Sequence, residues 1–263
     1  NMVRAIVVNS GNANACTGSR GEQDVKRMAS LVAQHAHSDA EEVLVCSTGV
    51  IGVPLPMEKI EVGIASCMAC QQRSDETARD AALAICTTDT FTKEVAVEIE
   101  IEGKPLSIGG MAKGSGMIHP DMATMLSFIT TDAQVERSYL QQLLGLTVVD
   151  SYNMISVDGD TSTNDTVLVL ANGASGAGPI LPGTDAEALF AEAFLYVHTE
   201  LAKLIVLDGE GAGKFIEMRV TGAPTKEDAR LMARSAISSS LVKAAFFGAD
   251  ANWGRILCAM GYS

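Results

Sequence analysis

Along the chain, apolar residues alternate with polar ones in some stretches and recur every three to four residues in others. Alternating and β-branched runs predict strands over residues 3–10 (VRAIVVNS), 42–48, 94–103 (EVAVEIEIEG), 124–131, 151–157, 165–172 and 214–222. Helical spacing marks 21–36, 75–88, 133–145, 185–206 and 226–246. The runs at 94–103, 104–110 and 124–131 follow one another without a helix, which predicts adjacent antiparallel strands and argues against a doubly wound parallel sheet. The pattern as a whole predicts an α+β fold of layered sheets and helices. A single Gly/Pro-rich break, NGASGAGPILPGTD at 172–185, reads as a surface loop or a joint between subdomains. The first strand-like run begins almost at Asn1 and the chain stops within DANWGRILCAMGYS, so a piece of a longer protein is expected.

Composition narrows the chemistry. With 263 residues, 47% of them hydrophobic, the chain can bury a sizeable core. Its 19 basic residues against 32 acidic ones give a net charge of −13, the wrong sign for nucleic acid or anionic lipid, so no nucleic-acid or membrane partner is expected and small-molecule chemistry is favoured. No apolar run approaches the roughly 20 residues of a membrane span, and residues 1–20 lack the apolar centre of a signal peptide. A cytoplasmic protein is the expectation, or a mitochondrial-matrix one in a eukaryote. Six scattered cysteines suggest reduced thiols, and the CxxC of Cys67 and Cys70, in a helix-like stretch, has no second pair to complete a zinc site. No metal site is predicted. His35 and His37 read as a solvated helix end.

Several motifs dissolve on inspection. The alternate Asp158, Asp160, Ser162 and Asn164 imitate a calcium loop, but Thr163 stands where the sharp turn needs Gly and Val169 where a bidentate Glu is needed; a polar turn satisfying its own backbone is the plainer interpretation. The run ending in Lys214 has Phe215 after the lysine and Asp208 in place of the first phosphate-loop glycine. No GxSxG elbow is present, and nothing in the sequence sets a serine beside His119 or His198.

Threonine chemistry remains. In GMIHPDMATMLSFITTDA (116–133), Thr124 follows a stretch with glycines at 109, 110, 114 and 116, which permit backbone angles closed to other residues. A threonine hydroxyl becomes a competent nucleophile when its own α-amine serves as base, and that amine titrates near 7.7–8.0. Thr124 would acquire such an amine only by cleavage of the Ala123–Thr124 bond. By residue type alone, an Ala-Thr pair within a strand is far more often structural.

Four stretches in order, NSGNANACTG (9–18), STGVIG (47–52), KGSGMIHPDMATML (113–126) and DGDTSTND (158–165), resemble the ornithine acetyltransferase family, also called glutamate N-acetyltransferase or arginine biosynthesis bifunctional protein. The resemblance runs the length of the chain. It implies an N-terminal-nucleophile-like, self-cleaving architecture in which an α-chain portion (1–123) ends at Ala123 and a β-chain portion (124–263) begins with the nucleophile Thr124, two of each forming a heterotetramer. It further implies an oxyanion hole at Thr48 and Gly49, and substrate binding by Thr87, Lys113, Thr124 and Glu210. The implied reaction moves an acetyl group from N-acetylornithine to glutamate without a cofactor; some members also accept acetyl-CoA. The family's carboxy-terminal Asn and Ser/Thr substrate contacts lie beyond Ser263. Two alternatives stay open: a related self-cleaving amidohydrolase or aminopeptidase with water as acceptor, and a fragment that only binds an amino acid.

Overall fold

The computed structural model describes residues 2–119 and 125–263. Strands β1 (Ala5–Asn12) and β2 (Val43–Val50) pair in parallel, and helix α1 (Gly18–Ala36) makes the crossover between them. Helix α2 (Met57–Ala69) lies along α1. The second sheet has the order β3 (Lys93–Ile101), β4 (Lys104–Lys113), β5 (Leu126–Thr131), β6 (Thr166–Ala171); the first two pairings are antiparallel and the last is parallel.

The period-two alternation sorts the strand residues into three apolar layers. Val7, Val43 and Val45 meet Met28, Val32 and Ile64 of α1 and α2. Ile6, Val8 and Cys46 turn the other way and meet Met111, Leu126, Phe128 and Leu168 between the two sheets. Leu106, Ile108, Ile129 and Val169 face α4 (Arg137–Asp150) and α5 (Asp185–Leu207), whose Phe190, Phe194, Val197 and Leu201 are fully buried. The fold is therefore α+β, stacked helix–sheet–sheet–helix. Gly110 lets α5 approach β4 closely: a methyl group there would lie 2.4 Å from Ile129 Cδ1 and 3.0 Å from Leu201 Cδ1. Of the four glycines noted in the sequence, only Gly114 has a left-handed φ, at 153°; Gly110 supplies room instead.

Helix α3 (Asp75–Ala84) precedes β3, and α6 (Lys226–Ser238), α7 (Ser240–Phe247) and α8 (Trp253–Gly261) share a smaller core around Ala236, Val242 and Ala259. The loop at 172–185 is no loose joint, because Ile180 is buried and its N–H donates to the Gln134 carbonyl at 2.9 Å.

Three local expectations are corrected. Residues 151–157 are not a strand: Tyr152–Met154 is a 3₁₀ turn, since Tyr152 is buried with its hydroxyl 2.8 Å from Ser127 Oγ and its ring edge-on to His198. Residues 214–222 run without regular structure, because their alternation finds no strand to pair with among the described residues. The helix at 226–246 breaks at Ser239, whose hydroxyl accepts the Val242 N–H and caps α7.

Candidate active site

Three strand ends lie in one row. Lys113 closes β4 opposite Leu126, the first residue of β5, which is itself opposite Thr166, the first of β6. Paired residues share a face, so Lys113 points with Leu126 toward the β1–β2 layer. There its Nζ donates to Thr48 Oγ1 (3.1 Å) and Thr87 Oγ1 (2.9 Å). A lysine ammonium has three donors and no acceptor. Both hydroxyls must therefore accept from Lys113 and keep their own protons to donate elsewhere, and one ammonium proton remains for a third partner. Burial pushes the Lys113 ammonium below its ordinary pKa, against the opposing pull of Asp89.

Thr48 stands next to a glycine that has no substitute. Gly49 sits at φ 130°, opposite Gly11 in β1, and a methyl group on it would lie 2.3 Å from the Gly11 carbonyl carbon. The ladder is irregular there, with Asn12 opposed by both Thr48 and Val50; such bulges re-aim backbone groups beside functional sites. Asn164 Nδ2 donates to the Ser47 carbonyl at 2.9 Å and to the Ala13 carbonyl, tying the DGDTSTND turn to the same strand ends.

A buried ionic cluster supports this corner. Lys93, fully buried at the start of β3, donates to Asp89 Oδ1 (2.7 Å) and Asp208 Oδ2 (2.6 Å). Asp89 also accepts the Gly114 N–H (2.7 Å) and the Thr87 N–H (3.1 Å), so it braces both Thr87 and the residue after Lys113. Asp208 accepts the Thr90 N–H (2.9 Å) and hydroxyl, and its carbonyl accepts the Ser115 hydroxyl. Burial alone would raise both carboxyls, yet the Lys93 ammonium and these donors hold each below the usual carboxylate range. One cation against two carboxylates leaves a net negative charge, which Lys113 offsets.

Glu210 follows two residues after Asp208. Its N–H donates to the Ser115 carbonyl at 2.9 Å, and its carboxylate leans over Gly116, where a methyl group would lie 2.5 Å away. The exposed Glu210 also lines a cavity of about 530 Å³ that opens between α5 and α6. Beyond Gly116, Met117 takes a left-handed conformation (φ 58°), and Asp158 fixes it by accepting the N–H groups of Met117 (2.6 Å) and Ile118 (3.0 Å). Asp158 is thus committed to backbone donors, as expected of a polar turn and not of a calcium loop.

Thr48, Thr87 and Lys113 are brought into direct contact, with Gly49 adjoining Thr48 and Glu210 over Gly116. Ala123 and Thr124 lie outside the described residues. The fold does place a serine by His119, contrary to the sequence expectation: Ser156 Oγ is 3.0 Å from Nδ1. The pair is poorly set for nucleophilic catalysis. Arg234 Nη2 approaches Nε2 at 3.4 Å, and because a guanidinium only donates, Nε2 accepts and Nδ1 carries the proton toward Ser156. His198 is buried between Phe194 and Tyr152, far from this role, and burial lowers its pKa to about 3. Asp89, Lys93, Asp208 and Asn164 were not foreseen. Asp89, Asp208 and Asn164 were signalled only by position, two residues from Thr87, two from Glu210, and inside DGDTSTND, and Lys93 by nothing.

Comparisons with known proteins place the chain in a family. The profile of the ArgJ family matches residues 1–263. The arginine biosynthesis bifunctional protein ArgJ of Caldanaerobacter subterraneus subsp. tengcongensis is 57% identical over 260 residues, covering 99% of this chain and 64% of that protein. The protein of the same name from Symbiobacterium thermophilum is 56% identical over 261 residues, with 99% and 64% covered. The chain thus spans a little under two thirds of the length of these relatives. The crystal structure of arginine biosynthesis bifunctional protein argJ from Bacillus halodurans superposes with a TM-score of 0.52 and 48% identity, over 53% of this chain and 65% of that one.

Proposed function

The chain belongs to the ArgJ family, and from that premise we propose that it is the acetyl-transferring part of a glutamate N-acetyltransferase, moving the acetyl group of N-acetylornithine to glutamate by way of Thr124. One observation carries the proposal. A buried lysine holds two threonine hydroxyls as acceptors at the end of the sheet from which β5 starts, two residues after Thr124.

In this mechanism the Thr124 hydroxyl first attacks the Ala123 carbonyl, and hydrolysis leaves an α-chain portion (1–123) and a β-chain portion (124–263) with a free amine on Thr124. That amine then takes the hydroxyl proton as Thr124 attacks the acetyl carbonyl of N-acetylornithine. The oxyanion that forms is met by the Thr48 hydroxyl, whose proton Lys113 leaves free, and by the Gly49 N–H. Ornithine leaves, glutamate accepts the acetyl group, and Thr124 is restored. The remaining Lys113 proton suits a substrate carboxylate, Thr87 steadies that lysine, and Glu210 suits the ornithine ammonium. The cycle calls for no cofactor; acetyl-CoA would enter only as another acetyl donor. We assign the two portions to a heterotetramer with two copies of each, in the cytoplasm or the matrix of a mitochondrion. Among the described residues no helix is long and apolar enough to cross a membrane.

The test is chemical. Active protein should show a second amino terminus at Thr124, and incubation with N-acetylornithine alone should leave an acetyl group that peptide mass spectrometry places on Thr124. Added glutamate should speed ornithine release. Release that ignores glutamate would instead identify an amidohydrolase, and an uncut, unacetylated protein would identify a binding protein.

A further inference from the structure

Asp165 has no part in the mechanism above, yet it occupies a pivotal place. It precedes β6 by one residue and is held from both sides: Asn164 donates to the carbonyl of Ser47, and the Thr166 N–H donates to the Met125 carbonyl at 2.9 Å. The side chain between these anchors turns inward. Both carboxylate oxygens are shut off from solvent, and among the described residues neither has a hydrogen-bond partner. The Met125 N–H faces the carboxyl without completing a hydrogen bond, and Lys113 on β4 attracts it from farther off. It lines a cavity of about 140 Å³ with Met125, Gln141, Leu144, Tyr152 and Asn153. Of the α4 residues that line it, Gln141, Leu144, Gly145 and Val148, Gln141 has the one polar side chain, and the Tyr152 hydroxyl is engaged with Ser127. Burial pushes the Asp165 carboxyl up to about 7, with Met125 and Lys113 pulling the other way. Leaving a buried polar group without a partner costs roughly 1–3 kcal/mol, and such a group in a native protein calls for a functional explanation.

We propose that Asp165 is a positioning residue whose carboxylate becomes the counter-charge of the α-ammonium released when the Ala123–Thr124 bond is cut. The inference rests on the acetyl-threonine mechanism. Three covalent bonds join the Thr124 α-nitrogen to the Met125 nitrogen, so the two atoms lie within about 4 Å of each other whatever the conformation. A carboxyl facing the Met125 N–H is therefore near enough for the two charges to favour each other. Net cleavage adds one water across the bond. Its oxygen joins the Ala123 carbonyl carbon to leave a carboxylate, and its two protons join the Thr124 nitrogen, which emerges as an ammonium. Before the cut the Thr124 nitrogen is an uncharged amide, and the pull of Met125 and Lys113 does not offset the burial of Asp165; after it, the pair is complete. In each later cycle the amine accepts the Thr124 hydroxyl proton, and the Asp165 carboxylate stabilises the protonated state so reached.

The Asp165 carboxyl carbon can be followed by ¹³C NMR in the whole protein. It should titrate near neutrality in the uncut Thr124→Ala variant and at least about one pH unit lower in the cut wild type. Equal midpoints overturn the inference. If wild type shows no new amino terminus, the acetyl-threonine mechanism falls and takes the inference with it. Asp165→Asn keeps the shape and removes the charge: kcat should drop by at least about tenfold with KM within about twofold, and the acidic limb of kcat against pH should move to lower pH. Asp165→Glu should recover part of the rate. An Asn variant with an unmoved limb makes Asp165 merely structural, and if that variant does not fold the NMR comparison decides.

Discussion

Strand β4 begins with Lys104 and ends with Lys113, and the two lysines meet opposite environments. Lys104 is exposed beside the turn that joins it to β3, and among the described residues its ammonium reaches only the Gly176 carbonyl. Lys113 is buried, with its ammonium on two threonine hydroxyls. The strand turns them to opposite faces, since an odd number of steps separates them, and what covers each end differs. Over Lys113 lie the ends of β1 and β2 and the 87–90 segment, which exclude water and supply hydroxyls and carboxylates. Ionic attraction grows as water is excluded. The covered end of the sheet can therefore hold charge in fixed positions, and the open end cannot.

The largest effect should come from removing the central cation of the covered end. Lys93→Met leaves Asp89 and Asp208 buried without their ammonium, and breaking a buried ion pair from one side costs about 3–5 kcal/mol. Urea unfolding should show the loss as a lower midpoint with an unchanged slope. Adding Asp208→Asn to that variant should restore part of the stability, since it removes one of the two stranded charges. A loss of less than about 1 kcal/mol would mean that the cluster does not hold this corner together, and the contrast between the two sheet ends would be broken.

The next effect is on rate rather than stability. Thr48→Val keeps the shape of the side chain and deletes the hydroxyl whose proton Lys113 leaves free. If Thr48 stabilises the oxyanion, kcat should fall by about 2.7–4 kcal/mol of transition-state stabilisation, or roughly a hundredfold or more, with KM little changed. The neighbouring glycine cannot be tested as cleanly, because any side chain on Gly49 runs into the Gly11 backbone and disturbs the strand pair itself. A folded Thr48→Val protein with normal turnover would leave Lys113 as a structural tie.

The sequence carried the succession β3–β4–β5 far better than the parallel pairings β1–β2 and β5–β6 or the site. β3, β4 and β5 were legible because alternating runs followed one another without a helix, and their antiparallel pairing follows from that alone. Residues 214–222 alternate just as well yet form no strand, since alternation describes a half-buried extended segment and says nothing of a partner. Helix α4 extends to Asp150, through the β-branched Thr147 and Val148, because both are buried against the core and packing overrides propensity. In the site, Thr48, Thr87 and Lys113 entered by resemblance, whereas their contact and the Asp89–Lys93–Asp208 cluster depend on residues up to 118 positions apart. No local pattern distinguishes Lys93 or Lys113 from Lys104; only the cover does.

The smallest effect sharpens the comparison most. Lys104→Met removes the same ammonium, from the same strand, at the open end. Its hydrogen bond goes to the Gly176 carbonyl from an exposed position, and exposed substitutions of this kind usually fall within about 0.5 kcal/mol of wild type. Stability, kcat and KM should therefore all stay near wild type, while Lys93→Met at the other end of the sheet loses several kcal/mol. The control is demanding because the Gly176 contact lies in the 172–185 loop, which Ile180 also pins to the core. Should Lys104→Met cost more than about 1 kcal/mol, the lysine would be acting as a clamp on that loop. Solvent exclusion would then no longer be what separates the two ends of β4, and the buried position of Lys113 would lose its standing as the reason it serves the site.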